Sequence, residues 1–211
     1  MNPRESEVIL TVPAPSLDQP RTDRRAATEA HLLEVLSSRW SPRAFDAEET
    51  IDEGKLRNAL EAARWSPSAG NSQPWRFVGA RRGTSEHATI HECLTGWNKE
   101  WAGDAAVLIV AIAEVENALG EPHRWASYDL GQAMAHLSVQ AHHDGLHAHQ
   151  MGGFDTAVLC EAFALDPNLT PVTVTALGTI GDPAQLPEVL REREEAPRAR
   201  RALGDTVIVN A

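Results

Sequence analysis

Cysteine is scarce in this 211-residue chain: Cys93 and Cys160 stand far apart, with no CxxC or Cys–His spacing. That excludes a disulfide framework and a zinc-ribbon arrangement, and a reducing cytoplasm is the simplest setting for it. Basic charge is short as well. Nineteen Lys and Arg face thirty Asp and Glu, a formal net charge of −11. Nucleic acid and anionic membrane both require a basic surface, so neither is expected as a main partner. The densest apolar run, Ala105 to Ala113, reads AAVLIVAIA and falls well short of the ~20 residues that cross a bilayer. The opening MNPRESEVILTVPAPSLDQPRTDRR has no long apolar core and carries Glu5, so it does not read as a secretory leader. Neither GxGxxG nor GxxxxGK(S/T) occurs, and the dinucleotide and P-loop fingerprints are therefore missing. His136, His142, His143, His147 and His149 crowd one region, but without HExxH or a carboxylate at matching spacing. No metal is expected there.

What is present suits one domain with a tail. Pro3, Pro13, Pro15 and Pro20 break up residues 1–27, which read as an extended tail ahead of a domain over 28–211. A helix is expected from Thr28 to Ser38 with Leu32, Leu33 and Leu36 on one face. Thr50 to Glu53 has the form of a capping box. The helix it starts carries Leu56, Ala59, Leu60 and Ala63, and Ser66-Pro67 stops it. Trp75 to Ala80 reads as a strand, His87 to Leu94 as helical, and Ala105 to Ala113 as a strand buried on both faces. Trp125 to Asp144 is helical with Gly145 behind it. HAHQMGGFD reads as a turn before a short helix capped by Asp155. Val172 to Ile180 alternates as in a half-buried strand, Pro183 starts a last helix that frays near Pro197, and Thr206 to Asn210 is strand-like. No regular βαβ alternation appears, so the fold class expected is α+β or a mixed three-layer domain.

Three stretches carry chemistry. In an extended segment Arg39, Ser41 and Arg43 point to one side. Two guanidiniums flanking a hydroxyl make a phosphate cradle, or else a solvated patch paired with Asp46 or Glu48. The run SPSAGNSQPWRF, from Ser66 to Phe77, has no charge from Ser66 through Trp75. It is either a plain helix-to-strand connector or a polar edge for a planar ligand. In Gln150 to Asp155 the pair Gly152-Gly153 lets backbone approach a flat ligand or simply turns the chain. Arg198-Ala199-Arg200-Arg201, taken alone, is a solvated charge run.

In this order RWSPRAF, PSAGNSQPW and HAHQMGGFD resemble the nitroreductase family of FMN-dependent oxidoreductases, over about Leu32 to Ile208. The resemblance implies a three-layer α-β-α sandwich with a mainly antiparallel sheet, in a homodimer with FMN at the subunit interface. It implies that Arg39, Ser41 and Arg43 hold the ribityl phosphate and chain, with Arg198 and Arg200 returning to the phosphate. Pro67, Ser68 and Ala69 would come from the partner subunit and lie beside the isoalloxazine, with Asn71 in the same loop. Asn98 would reach the flavin's polar edge, and Met151, Gly152 and Gly153 would run along the ring. Some relatives have glutamate where this chain has Gly152, which leaves any contact there to backbone. Trp125, Tyr128, His147 and His149 are candidates for lining the substrate space. No side chain is assigned as a catalytic acid.

The activity implied is hydride transfer from NADH or NADPH through FMN to a small electrophile, a nitroaromatic or a quinone, by a ping-pong cycle. The competing reading is a flavin-binding storage or sensor module on the same fold.

Overall fold

The structure, a computed structural model, describes residues 24–208. The proposed tail of residues 1–27 lies outside the described residues as far as position 23. From Arg24 on, the chain is tied down: Arg24 donates to Ala196 O at 2.7 Å, and Ala26 N donates to Ser37 O.

The apolar run becomes β2, Val107–Glu114, the strand on which the core is built. Its residues alternate between two cores. Leu108, Val110 and Ile112 enter one, while Val107, Ile109, Ala111 and Ala113 enter the other, as the two-residue period of a strand requires. Both faces need helical cover. On one side lie α2 (Glu53–Arg64) and α4 (Ala126–His143), contributing Leu56, Ala59 and Ala63, then Leu130, Met134 and Leu137. On the other lie α3 (Ser85–Cys93), α5 (Thr156–Ala162) and α6 (Glu188–Glu195), with Ile90, Leu159 and Leu190. This is the three-layer α+β arrangement expected. Among the described residues the sheet has four strands in the order β1-β2-β4-β3, every pair antiparallel, with β1 Trp75–Arg81, β3 His147–Met151 and β4 Leu169–Gly178.

Several expectations need correction. α1 spans only Glu34–Ser38, and Leu32, Leu33 and Leu36 are exposed. Among the described residues nothing covers them, and a short helix without a buried face is marginal. The capping box does not form: Asp52 caps α2, accepting from Gly54 N and Lys55 N, while Glu53 pairs with Arg81 at 2.5 Å. HAHQM is an edge strand, not part of a turn, because it pairs with the outer side of β4. β4 is buried more fully than a half-buried strand, with Thr175 at 0% exposure, since helices cover both faces. Pro171 cannot donate to the ladder, and the register with β2 shifts there, leaving Val172 exposed. Pro187 splits the last helix: a tight turn over Pro183–Gln185 precedes α6. Thr206 ends a one-turn helix, α7 (Leu203–Thr206), instead of opening a strand. Residues 209–211 lie outside the described residues.

The end of β4 passes very close to the segment after Arg43. A Cβ on Gly181 would lie 2.5 Å from Phe45 O and 2.9 Å from Asp46 N, and backbone cannot yield as a side-chain tip can. Replacing Gly181 with Ala is expected to cost about 1–3 kcal/mol, read as a lowered urea midpoint at unchanged slope.

Candidate functional site

The chain after α1 and the chain after α6 meet along a cavity of about 310 Å³. Arg39, Trp40, Ser41 and Arg43 line it from one side, Arg193 and Ala196 to Arg200 from the other, and Arg24 joins them. The sequence-predicted Arg39, Ser41, Arg43, Arg198 and Arg200 are thus brought together, in a chain that is acidic overall. Arg198 donates to the carbonyls of Arg24 (2.6 Å) and Ser37 (2.8 Å), bracing the two segments. Burial, with the neighbouring Arg39 and Arg200 charges adding to it, pushes its guanidinium below the ordinary arginine value. The side chains of Arg39 and Arg193 make no hydrogen bond or ion pair among the described residues. Converging cations with unused donors suit an anion of high charge density, a phosphate above all.

Neither Asp46 nor Glu48 neutralises this patch. Arg43 instead lies 3.6 Å from Glu194, a carboxylate with no solvent exposure. Glu194 also accepts from Arg43 N (2.9 and 3.0 Å) and Ala44 N (3.2 Å). So α6 grips the arm by its backbone, and one oxygen-rich side chain satisfies donors that would otherwise be buried unpaired.

His149 grips the same arm from β3. Its Nδ1 lies 2.8 Å from Pro42 O; a carbonyl only accepts, so Nδ1 carries the proton. The ring packs against Trp101 at 4.6 Å. Burial lowers the imidazole to about 4, against the pull of the Pro42 hydrogen bond and helped by the nearby Arg43 charge. His149 is therefore neutral at pH 7 and braces the arm.

The uncharged loop forms a second feature. It is a tight turn over Ala69–Asn71, with Pro67, Ala69, Asn71, Ser72 and Gln73 exposed and Ser68 half-buried. Ser68 Oγ accepts from Gln73 N at 3.0 Å. None of its residues lines the arginine cavity. A third feature joins Asn98 to the glycine pair. Asn98 Nδ2 donates to Gly153 O at 3.3 Å, Thr95 N donates to the same carbonyl, and a Cβ on Gly153 would sit 2.9 Å from Asn98 Nδ2. Glycine is needed there for that protein contact. At Gly152 a Cβ would meet nothing within 4 Å, so its backbone is the open one. Met151, paired with β4, is in the core at 3% exposure.

Trp125, Tyr128 and His147 do not converge within one chain. Trp125 and Tyr128 meet edge to face at the start of α4, both largely exposed. His147 packs on His142 at the other end, about 25 Å along the helix. A larger hollow of about 610 Å³ lies between α2 and the edge strand β1 and contains none of the predicted residues. Its Arg64 and Arg81 are paired with Glu61 and Glu53, so it offers less free charge than the smaller cavity.

Comparison with known proteins identifies the family. The pattern of the Nitroreductase family matches residues 36–96 and 83–179. The chain belongs to the nitroreductase family. A solved oxidoreductase containing FMN is 35% identical, with a TM-score of 0.81 over 89% of this chain and 95% of that one. An uncharacterised 15.4 kDa protein of Mycolicibacterium smegmatis is 36% identical over 135 residues, 61% of this chain and 90% of its own. An NADH dehydrogenase of Thermus thermophilus is 41% identical over 69 residues, 33% of this chain and 32% of its own.

Within this nitroreductase-family fold, the residues missed from sequence are Glu194 and the bracing role of His149. Glu194 sits in REREEAPR, which looks like a solvated run. Yet it follows Leu186 and Leu190 at four-residue steps, and that spacing places it on the buried face.

Glu194→Ala would leave two backbone donors and Arg43 without their carboxylate, with an expected loss of about 3–5 kcal/mol in chemical denaturation. His149 makes a separate pH prediction. Its folded value of about 4 lies below the unfolded ~6.5, so the unfolded chain binds the extra proton. Its contribution is intact above about pH 6.5 and is lost as pH falls toward 4, by about 3 kcal/mol. The stability gap between wild type and His149→Gln should shrink over that window in parallel thermal melts.

Proposed function

We propose that this chain is an FMN-dependent oxidoreductase, working as a homodimer, that passes hydride from NADH or NADPH to a small electrophilic acceptor such as a nitroaromatic or a quinone. The arginine cavity carries this reading: among the described residues the Arg39 and Arg193 side chains lack partners, and Arg198 is held among like charges. A phosphate dianion would relieve that repulsion and use those donors. The similar FMN-containing oxidoreductase and the partial similarity to an NADH dehydrogenase support the cofactor and the electron source.

When bound, FMN supplies the hydride acceptance and release of the reaction. The chain's own residues bind and orient. Arg39, Ser41, Arg43 and Arg200 hold the phosphate and ribityl chain, and Arg198 keeps their segments together. Gly152, with Met151 and Gly153 on either side, presents backbone to a flat ring, while Asn98, fixed by Gly153, faces its polar edge. Pro67, Ser68, Ala69 and Asn71 form a wall offered to the second subunit's site. An exposed, uncharged loop flanked by exposed Trp65, Trp125 and Tyr128 supports burial against another copy. Trp125 and Tyr128 then border the acceptor at that interface; His147, at the far end of α4, does not join them from the same chain. The setting is cytoplasmic, and no described helix is long and apolar enough to cross a membrane.

The purified protein should be yellow, release FMN on denaturation, elute as a dimer, and bleach anaerobically with NADH or NADPH. Bound flavin inert to both nicotinamides would favour the storage or sensor module, and failure to take up FMN would defeat the proposal. Arg39→Ala should weaken FMN binding roughly 10- to 100-fold, as expected for one charge-assisted contact of about 1.5–3 kcal/mol. Unchanged affinity would remove the phosphate assignment.

A further inference from the structure

The wall loop is not self-supporting. Gly70 at φ 58° is ordinary for glycine, but Asn71 at 57° and Gln73 at 49° hold left-handed backbone that side chains disfavour. Three local bonds, from Asn71 N, Ser72 N and Gln73 N, close the turn on itself. They do not fix where it stands.

Two side chains of α4 do. Asp129 is 2% exposed, on the helix face that also buries Ala126, Leu130 and Ala133. Its Oδ2 accepts from Ala69 N at 3.0 Å, and Gln132 Nε2 is 3.4 Å from Oδ1. A carboxylate in an apolar layer is costly unless its hydrogen bonds are made, and the strongest one it makes here goes to the loop. His136 stands seven residues further on, about 10 Å along the same side of the helix. Its Nδ1 lies 2.7 Å from Ser66 Oγ, itself 8% exposed. The loop is thus held at its entry and at its turn by one helix. Ala69 has its N–H committed to Asp129 and its carbonyl to Ser72 N, so its methyl is what remains for a ligand.

We propose that Asp129 and His136 are positioning residues of the flavin site. They hold the Ser66–Gln73 loop at the height and tilt at which it can lie against the ring. This rests on the flavin reading above, but the anchor itself can be tested without flavin.

The experiment compares wild type with Asp129→Ala, Asp129→Asn and Ser66→Ala. Two things are measured: FMN affinity with the bound flavin's visible spectrum, and hydrogen exchange at the Ala69 amide without flavin. Asn keeps an acceptor for Ala69 N–H; Ala does not. Asp129→Ala should bind FMN at least tenfold more weakly with a shifted spectrum, and Ala69 exchange should rise at least tenfold. Asp129→Asn should stay within about threefold on both. Ser66→Ala, which leaves the helix untouched, should weaken FMN binding severalfold. The proposal is overturned if Asp129→Ala matches wild type in affinity and spectrum, or if Asn is as poor as Ala. Protected Ala69 exchange that is lost in Asp129→Ala, in a protein that takes up no FMN, would keep the anchor and remove its flavin role. Unprotected Ala69 in wild type would remove the anchor, whatever the protein binds.

Discussion

The buried carboxylate of Glu194 is the contact on which the candidate site depends. It joins residues 150 or more apart in sequence, binding the backbone N–H groups of Arg43 and Ala44 and pairing with the Arg43 side chain. Together with Arg198, which donates to Ser37 O, it makes the arm after α1 and the chain after α6 face each other. The cavity exists because they do. An ion pair in this position adds little net stability, since desolvation offsets most of the attraction. Its value lies in geometry: it fixes one backbone stretch against one helix, and His149 does the same from the sheet side through Pro42.

The same device recurs on the opposite helical layer. Asp129 is also a buried carboxylate satisfied by a backbone N–H of a distant, irregular segment. Both acids sit on helices whose other inward residues are apolar, and both reach segments that have no ladder of their own. Irregular backbone must have its hydrogen bonds answered by something. In this fold the helical layers answer it, while the sheet serves as the rigid plate between them, with β2 dividing its side chains between the two cores.

Much of this was legible in the chain. The buried strand, the long helix ending at Gly145, the helix capped by Asp155 and the three motif segments could all be read from period, breakers and composition. These are local properties, decided within a few residues. The errors fall where local preference met a missing or unexpected neighbour. Leu32, Leu33 and Leu36 had a helical pattern but no surface to pack on among the described residues. Thr50 and Glu53 had the right spacing for a capping box, but Asp52 was closer to the first free N–H groups and Arg81 drew Glu53 away. HAHQM looked like a turn because its histidines are polar, yet one packs, half-buried, against Trp101 once the segment pairs with β4.

What the sequence by itself determined is the set of parts: an apolar central strand, amphipathic helices, an uncharged Pro- and Gly-bounded loop, and arginine pairs at both ends of the domain. Short-range periodicity and stereochemistry suffice for those. Tertiary structure decided which charges find partners. The Arg39 side chain has no partner among the described residues, Arg43 was given Glu194, and Nη1 of Arg198 donates to two backbone carbonyls. Likewise it decided that Trp125 and His147 stand at opposite ends of one helix. Charge and hydrogen-bond capacity are properties of a residue, but whether they are spent depends on neighbours brought up by folding from a hundred or more positions away.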